Sequence, residues 1–165
     1  MIAVGANLPG AAGRAPLDTC RMAVSMMNAL PSVKLRGLSR WFQSAPVPPS
    51  SQPDYVNAVA AVRVDSAYVA DPALLLQRLM EIETACGRQR GVPNAARTLD
   101  LDIVAVGDVV RLSPDPILPH PRVHERAFVL LPLLDVAPHW VHPVLHRPAR
   151  DLLASLPPQP ISPLE

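Results

Sequence analysis

Asp100 and Asp102 stand two residues apart in Leu99-Asp100-Leu101-Asp102-Ile103, and two is the period of a β-strand. Successive strand side chains point to opposite faces. Leu99, Leu101 and Ile103 therefore share one face and the two carboxylates the other, roughly 6–7 Å apart at Cα. Like charges that close repel, and keeping both ionised costs free energy unless cations lie between them. Mg²⁺, hard and oxygen-seeking, suits such a pair and keeps waters for bridging phosphate oxygens. An ordinary amphipathic strand with two solvated aspartates has the same pattern, although aspartate is depleted in strands.

Arg88, Arg90 and Arg97 bracket the segment just before that strand, with no acidic residue between them. Guanidinium forks match phosphate oxygens, and a loop containing Gly91 and Pro93 can close over a polyphosphate. Carboxylates, a metal and arginines together describe a nucleoside-triphosphate site, whereas the arginines alone describe a solvated basic loop. Glu83 intrudes on an apolar helix stripe and needs a partner, either an arginine or the metal site. Tyr55 and Asn57 share a strand face, a flat aromatic beside an amide that both donates and accepts, which suits a planar heterocycle. Phe128 is one of the few aromatics that could form the opposite wall, and both rings could equally be core. His120, between Pro119 and Pro121, sits in a rigid turn. His142 and His146 have helical spacing that Pro143 argues against.

The elements that must carry these residues follow from pattern. Ile2–Gly5 reads as a short strand. Pro16–Leu30 is helical, with Leu17, Cys20, Val24 and Met27 on one face and Asp18 in the first turn. Lys34–Phe42 reads as a strand ended by a proline-rich loop over 45–53, and Val56–Val64 as the next strand. Asp71-Pro72 is a helix start, and Leu75, Leu79, Ile82 and Cys86 form its apolar stripe before a Gly87 cap. Leu99–Val106 is the strongest strand. Glu125–Val136 is helical at least in part, and Asp151–Leu156 forms a short helix. The order predicts an α+β fold, a ferredoxin-like split β-α-β-β-α-β sandwich whose antiparallel-rich sheet is covered by helices.

The 165 residues fit one domain, placed at 1–156, with a proline-rich, disordered tail over 157–165. A net charge of +1 gives no global pull toward nucleic acid or membrane, so any electrostatic function is local. Cys20 and Cys86 have no metal or redox spacing and read as reduced thiols. No apolar run is long enough to span a membrane and no basic leader precedes one, so the expected location is the cytoplasm. A small RNA-binding domain on this fold would want a strong basic balance and exposed strand aromatics, which the chain lacks.

Taken in order, several segments resemble the 6-hydroxymethyl-7,8-dihydropterin pyrophosphokinases of folate biosynthesis. They are Val4-Gly5-Ala6-Asn7-Leu8, Gln52-Pro53-Asp54-Tyr55-Val56-Asn57-Ala58-Val59, Ile82-Glu83 with Gly87-Arg88-Gln89-Arg90, and Arg97-Thr98-Leu99-Asp100-Leu101-Asp102-Ile103. Leu118-Pro119-His120-Pro121 and Arg126-Ala127-Phe128-Val129-Leu130 complete the set, which runs from about Ala3 to Pro138. The resemblance implies an enzyme that moves the terminal pyrophosphoryl group of ATP to the pterin hydroxymethyl oxygen and releases AMP. It implies two Mg²⁺ ions on Asp100 and Asp102, with Arg88 and Arg97 also catalytic. ATP would be bound by Glu83, Arg88, Arg90, Arg97, Ile103, His120 and Arg126. The pterin would lie between Tyr55 and Phe128, against Asn57, Ser44, Ala45 and Val47. A monomer with small-molecule partners only is expected. The chain departs from the family pattern at Ala6, at Ser44-Ala45, at Ala96 and in a 91–96 loop about one residue short that lacks the usual tryptophan. The alternative on the same fold is a nucleotide- or pterin-binding relative with little turnover.

Overall fold

The computed structural model describes residues 1–88 and 96–164. Arg90, Gly91, Pro93 and the expected shortening of that loop lie outside the described residues.

Strand β1, Ile2–Ala6, alternates as its sequence does, with Ile2, Val4 and Ala6 buried on one face. Helix α1, Pro16–Ala29, starts on a proline whose missing N–H costs nothing there, and it buries Cys20, Ala23, Val24 and Met27 against that face. Next come β2, Val33–Leu38, β3, Phe42–Ser44, and β4, Tyr55–Val64. A five-residue helix α2, Ser66–Ala70, precedes α3, Pro72–Ala85. At the start of α3 the Asp71 carboxylate accepts the Ala73 N–H at 3.1 Å, and at its end Gly87 has φ +92°, the left-handed geometry of a helix stop. The chain continues through β5, Asp100–Ile103, α4, Ala127–Val136, α5, Ala149–Ala154, and β6, Ile161–Pro163.

All strand pairs are antiparallel, in the order β5-β1-β4-β3-β6, with β2 also on β4. Counting β2 and β3 as halves of one bent strand gives the β-α-β-β-α-β order, and the α+β sandwich expected from the sequence is present. Helices α1 and α3 cover one face. The other face packs Val59 and Val104 against Val129, Leu130 and Leu133 of α4 and Leu152 of α5. Among the described residues no helix is long and apolar enough to cross a membrane.

Several boundaries differ from the expectation. The single strand over Lys34–Phe42 is broken at Ser39–Trp41, where three residues of one edge oppose two of β4 between the Leu38↔Ala60 and Phe42↔Asn57 pairs. The bulge is held by Ser39, whose backbone N–H donates to Val59 O (3.0 Å) and whose Oγ accepts the Val59 N–H (2.9 Å). Strand β5 stops at Ile103 rather than Val106 because β1 runs out: Val104 and Ala105 N–H both turn onto Met1 O. A 3₁₀ turn at Val123–Glu125 precedes α4, so that helix begins two residues later than expected. The short C-terminal helix begins at Ala149, two residues earlier than Asp151. The segment after Pro157 is not a loose tail: Ile161–Pro163 pairs with β3.

Candidate active site

The site is built on the sheet face that α1 and α3 do not cover. Register sets Gly5 of β1 opposite both Asn57 of β4 and Asp100 of β5, and Ala3 opposite both Val59 and Asp102. Two small residues at the centre keep this floor flat. A Cβ at Gly5 would stand 3.4 Å from Asn57 Oδ1, in the space above the floor. Leu101 and Ile103 turn the other way into the core, as the period of two requires.

Over the floor lies a cavity of about 290 Å³. Ser44, Ala45, Val47, Tyr55, Asn57 and Phe128, the six residues expected to hold the planar ligand, all line it. Arg97, Asp100, Asp102 and Arg126 close its charged end. Asn57 Nδ2 donates to Ser44 Oγ at 2.9 Å, fixing the amide plane beside the cavity. Tyr55 OH donates to Gln52 Oε1 at 3.1 Å. Asn7, only 2 % exposed, ties this wall to the charged end: its Nδ2 donates to Gln52 Oε1 (3.2 Å) and Pro53 O (3.1 Å), and its Oδ1 accepts the Arg97 N–H at 2.7 Å.

Arg88 and Arg97 converge on Asp100, with Arg88 Nη1 2.7 Å from Oδ1 and Arg97 Nη1 2.6 Å from Oδ2. Behind Arg88, Glu83 pairs with the same guanidinium and accepts the Leu101 N–H at 2.8 Å. Burial raises the Glu83 carboxyl above its ordinary value, against the pull of that N–H and of Arg88. Arg126 Nη1 lies 3.6 Å and His120 Nε2 3.8 Å from Asp102 Oδ2. Burial, reinforced by the Asp100 charge, pushes Asp102 up to about 6. Burial, reinforced by Arg126 and Arg122, pushes His120 down to about 4. His120 Nδ1 accepts the Arg122 N–H at 3.1 Å, so the neutral ring carries its proton on Nε2, toward Asp102.

The donor set fits Mg²⁺. Asp100 and Asp102 share a face, and burial, with the Asp100 charge beside it, disfavours the ionised Asp102, a cost that a cation would relieve. Among the described residues no third His, Cys, Asp or Glu joins them to form an all-protein cage. One or two carboxylates, with the remaining positions left to water and phosphate oxygens, is the usual Mg²⁺ arrangement. Arg126 Nε is buried without a partner among the described residues, an orphan donor that an anionic oxygen would satisfy.

The structure thus brings together on the cavity wall all the expected residues it describes except four. Glu83 and Arg88 sit behind Asp100, His120 stands beside Asp102 off the wall, and the Ile103 side chain packs into the opposite core. Arg90 lies outside the described residues. Sequence reasoning missed Ala3, Gly5, Asn7 and Gln52. For Ala3 and Gly5 a signal existed, since the period that exposes Asp100 and Asp102 on one face also places two small residues on one face of β1.

The family model for 7,8-dihydro-6-hydroxymethylpterin-pyrophosphokinase (HPPK) matches residues 1–138. The 2-amino-4-hydroxy-6-hydroxymethyldihydropteridine pyrophosphokinase of Haemophilus influenzae is 35% identical over 142 residues, 86% of this chain and 83% of its own. That of Pseudomonas aeruginosa is 37% identical over 137 residues, 83% of this chain and 79% of its own. That of Synechocystis sp. is 36% identical over 127 residues, 77% of this chain, and the match spans 63% of the Synechocystis protein.

Proposed function

The chain belongs to the 7,8-dihydro-6-hydroxymethylpterin-pyrophosphokinase family, and on that premise we propose that it transfers pyrophosphate from ATP to the hydroxymethyl group of 6-hydroxymethyl-7,8-dihydropterin, giving AMP and the pterin diphosphate for folate biosynthesis. The observation that carries this reading is the meeting, on one flat floor, of a heterocycle-sized cavity with a carboxylate pair and two arginines, Arg97 and Arg126, with Arg88 behind Asp100.

In this reading Tyr55 and Phe128 flank the pterin ring, and Asn57, its amide fixed by Ser44, reads the ring edge. Arg88, Arg97 and Arg126 exchange carboxylate for phosphate oxygens when ATP enters, joined by Arg90 and His120. Glu83 acts through Arg88 as a positioning residue, holding its guanidinium beside Asp100. Ile103 contributes from its strand backbone. Two Mg²⁺ ions held by Asp100 and Asp102 would supply charge neutralisation on the phosphate oxygens. As the pterin oxygen bonds to the β-phosphorus, the bond from that phosphorus to the α-phosphate oxygen breaks. The protein's part is alignment and electrostatic support rather than covalent chemistry. We assign the activity to a single domain, residues 1–156 with β6 added, acting as a monomer in the cytoplasm. Two buried free thiols, Cys20 and Cys86, fit a reducing compartment.

The test is direct. Purified protein with ATP, Mg²⁺ and the reduced pterin alcohol should release AMP and form the pterin diphosphate. If both ligands bind and no AMP appears, the chain is a binding relative and not the enzyme. Sedimentation that returned a dimer would remove the monomer assignment.

A further inference from the structure

The segment after residue 156 lies beyond the family match, yet it bonds to residues on two sides of the cavity. Gln159 Oε1 accepts the Ala127 N–H at 2.9 Å, and its Nε2 donates to Glu125 O at 2.9 Å. Ala127 is the first residue of α4, and the flanking Arg126 offers no side-chain cap. A helix start leaves its first N–H groups without partners, so Gln159 serves as a cap supplied from a distant part of the chain. The capped turn carries Phe128 and Arg126, which line one side of the cavity.

The next residues hold the opposite side. Pro160 O accepts the Ala45 N–H at 3.2 Å, Ile161 pairs with Ser44, and Leu164 N–H donates to Trp41 O at 2.8 Å. Ser44 and Ala45 belong to the cavity rim. The two anchors are joined by Gln159-Pro160-Ile161, which fully extended reaches only about 10 Å, and the proline holds its φ fixed. None of these residues lines the cavity. A short, stiff tie between both walls, with no side chain in the space between, can act only through their separation.

We propose that residues 159–164 form a strap that sets the gap between the Ser44–Ala45 rim and Phe128, with Gln159 as the positioning residue. The inference rests on the pterin reading of the cavity. Of the groups given to the nucleotide, only Arg126 lies in the turn that the strap caps; Arg88 follows α3, Arg97 precedes β5 and Asp100 opens it, and the strap touches none of these three. Its effect therefore falls on the pterin more than on the nucleotide.

The experiment measures pterin affinity by fluorescence, in the presence of Mg²⁺ and an ATP analogue with a methylene between its α and β phosphorus atoms. Analogue affinity and the thermal midpoint are read in parallel. Gln159→Ala should weaken pterin binding about tenfold, the scale of one or two lost hydrogen bonds, while analogue affinity, which loses at most the positioning of Arg126, falls by no more than about threefold. Gln159→Glu, which keeps an acceptor for Ala127 but loses the donor to Glu125 O, should recover only part of the pterin affinity. Unchanged pterin affinity in Gln159→Ala overturns the strap. So does an equal loss for both ligands alongside a lowered midpoint, which is what a merely structural role gives. A wild-type protein that binds the analogue but no pterin overturns the proposed function and the strap with it. Wild-type binding without a Gln159 effect overturns the strap alone.

Discussion

Exchanging Asp102 for asparagine removes one carboxylate from the floor and leaves a side chain of the same shape. The charge lost is one that burial and Asp100 oppose. The thermal midpoint of Asp102→Asn should therefore hold or rise. Turnover should fall by at least about 10²-fold, the usual cost of losing an electrostatic anchor at a reacting centre. AMP release at near wild-type rate would sink the role given to Asp102. Gly5 makes the complementary case, in which the absence of a side chain is the function. Gly5→Val would place branched carbon beside Asn57 Oδ1 and should weaken pterin binding about tenfold or more, with analogue binding nearly unchanged. Equal pterin affinity in the two proteins would show that the ring does not lie over Gly5. These two residues also mark what the sequence made legible. Asp100, Asp102 and the arginines stood out because charged residues on an apolar strand and beside it are unusual. Gly5, Ala3, Asn7 and Gln52 are ordinary types whose roles come from cross-strand register and long-range hydrogen bonds, and neither is written in local spacing.

At the scale of elements, strands and helices with a clean period matched their expected places, and misreadings gathered where a long-range contact replaced a local rule. Nothing in Leu38-Ser39-Arg40-Trp41 announces a break; the break exists because Ser39 takes over the pairing of Val59. Arg40 is drawn outward there, with its backbone N–H and guanidinium all on Asp135 at the end of α4 (2.9–3.0 Å). The C-terminal strand was misread for a related reason. Its prolines removed the usual strand signal, and what holds it is an edge of β3 more than a hundred residues earlier. Ser39 gives the test. It is 5 % exposed, and Ser39→Ala strips the acceptor from a buried Val59 N–H. An unsatisfied buried donor costs about 1–3 kcal/mol. The urea midpoint should fall accordingly with an unchanged slope. A midpoint equal to wild type would mean that Ser39 follows the bulge rather than makes it.

Over the whole molecule the net charge is close to neutral, +1, so global self-repulsion is small and the local charges of the site shape how stability depends on pH. Two of them pull in opposite directions. Asp102 titrates near 6 in the folded protein against an ordinary 3.8. Its contribution is fully present below the ordinary value and is lost as pH rises through about 6. His120 titrates near 4 against an ordinary 6.5. Its contribution is present above 6.5 and is lost as pH falls through about 4. Between pH 4 and 6 the two slopes oppose, and in metal-free buffer they largely offset each other. Glu83, also raised, tilts the same way as Asp102 and remains in both single variants. Removing one partner should expose the other. Asp102→Asn should lose stability more steeply than wild type as pH falls from 6.5 to 4. His120→Gln should gain stability relative to wild type over the same interval. Urea midpoints of the three proteins at pH 4, 5, 6 and 7, with a chelator present, read this directly, because the carboxylates remote from Asp102 and His120 contribute equally to all three. Three parallel profiles would mean that Asp102 and His120 titrate near their ordinary values. The disfavoured Asp102 charge that a cation would relieve would then be absent, and the Mg²⁺ assignment would have to rest on the donor set alone.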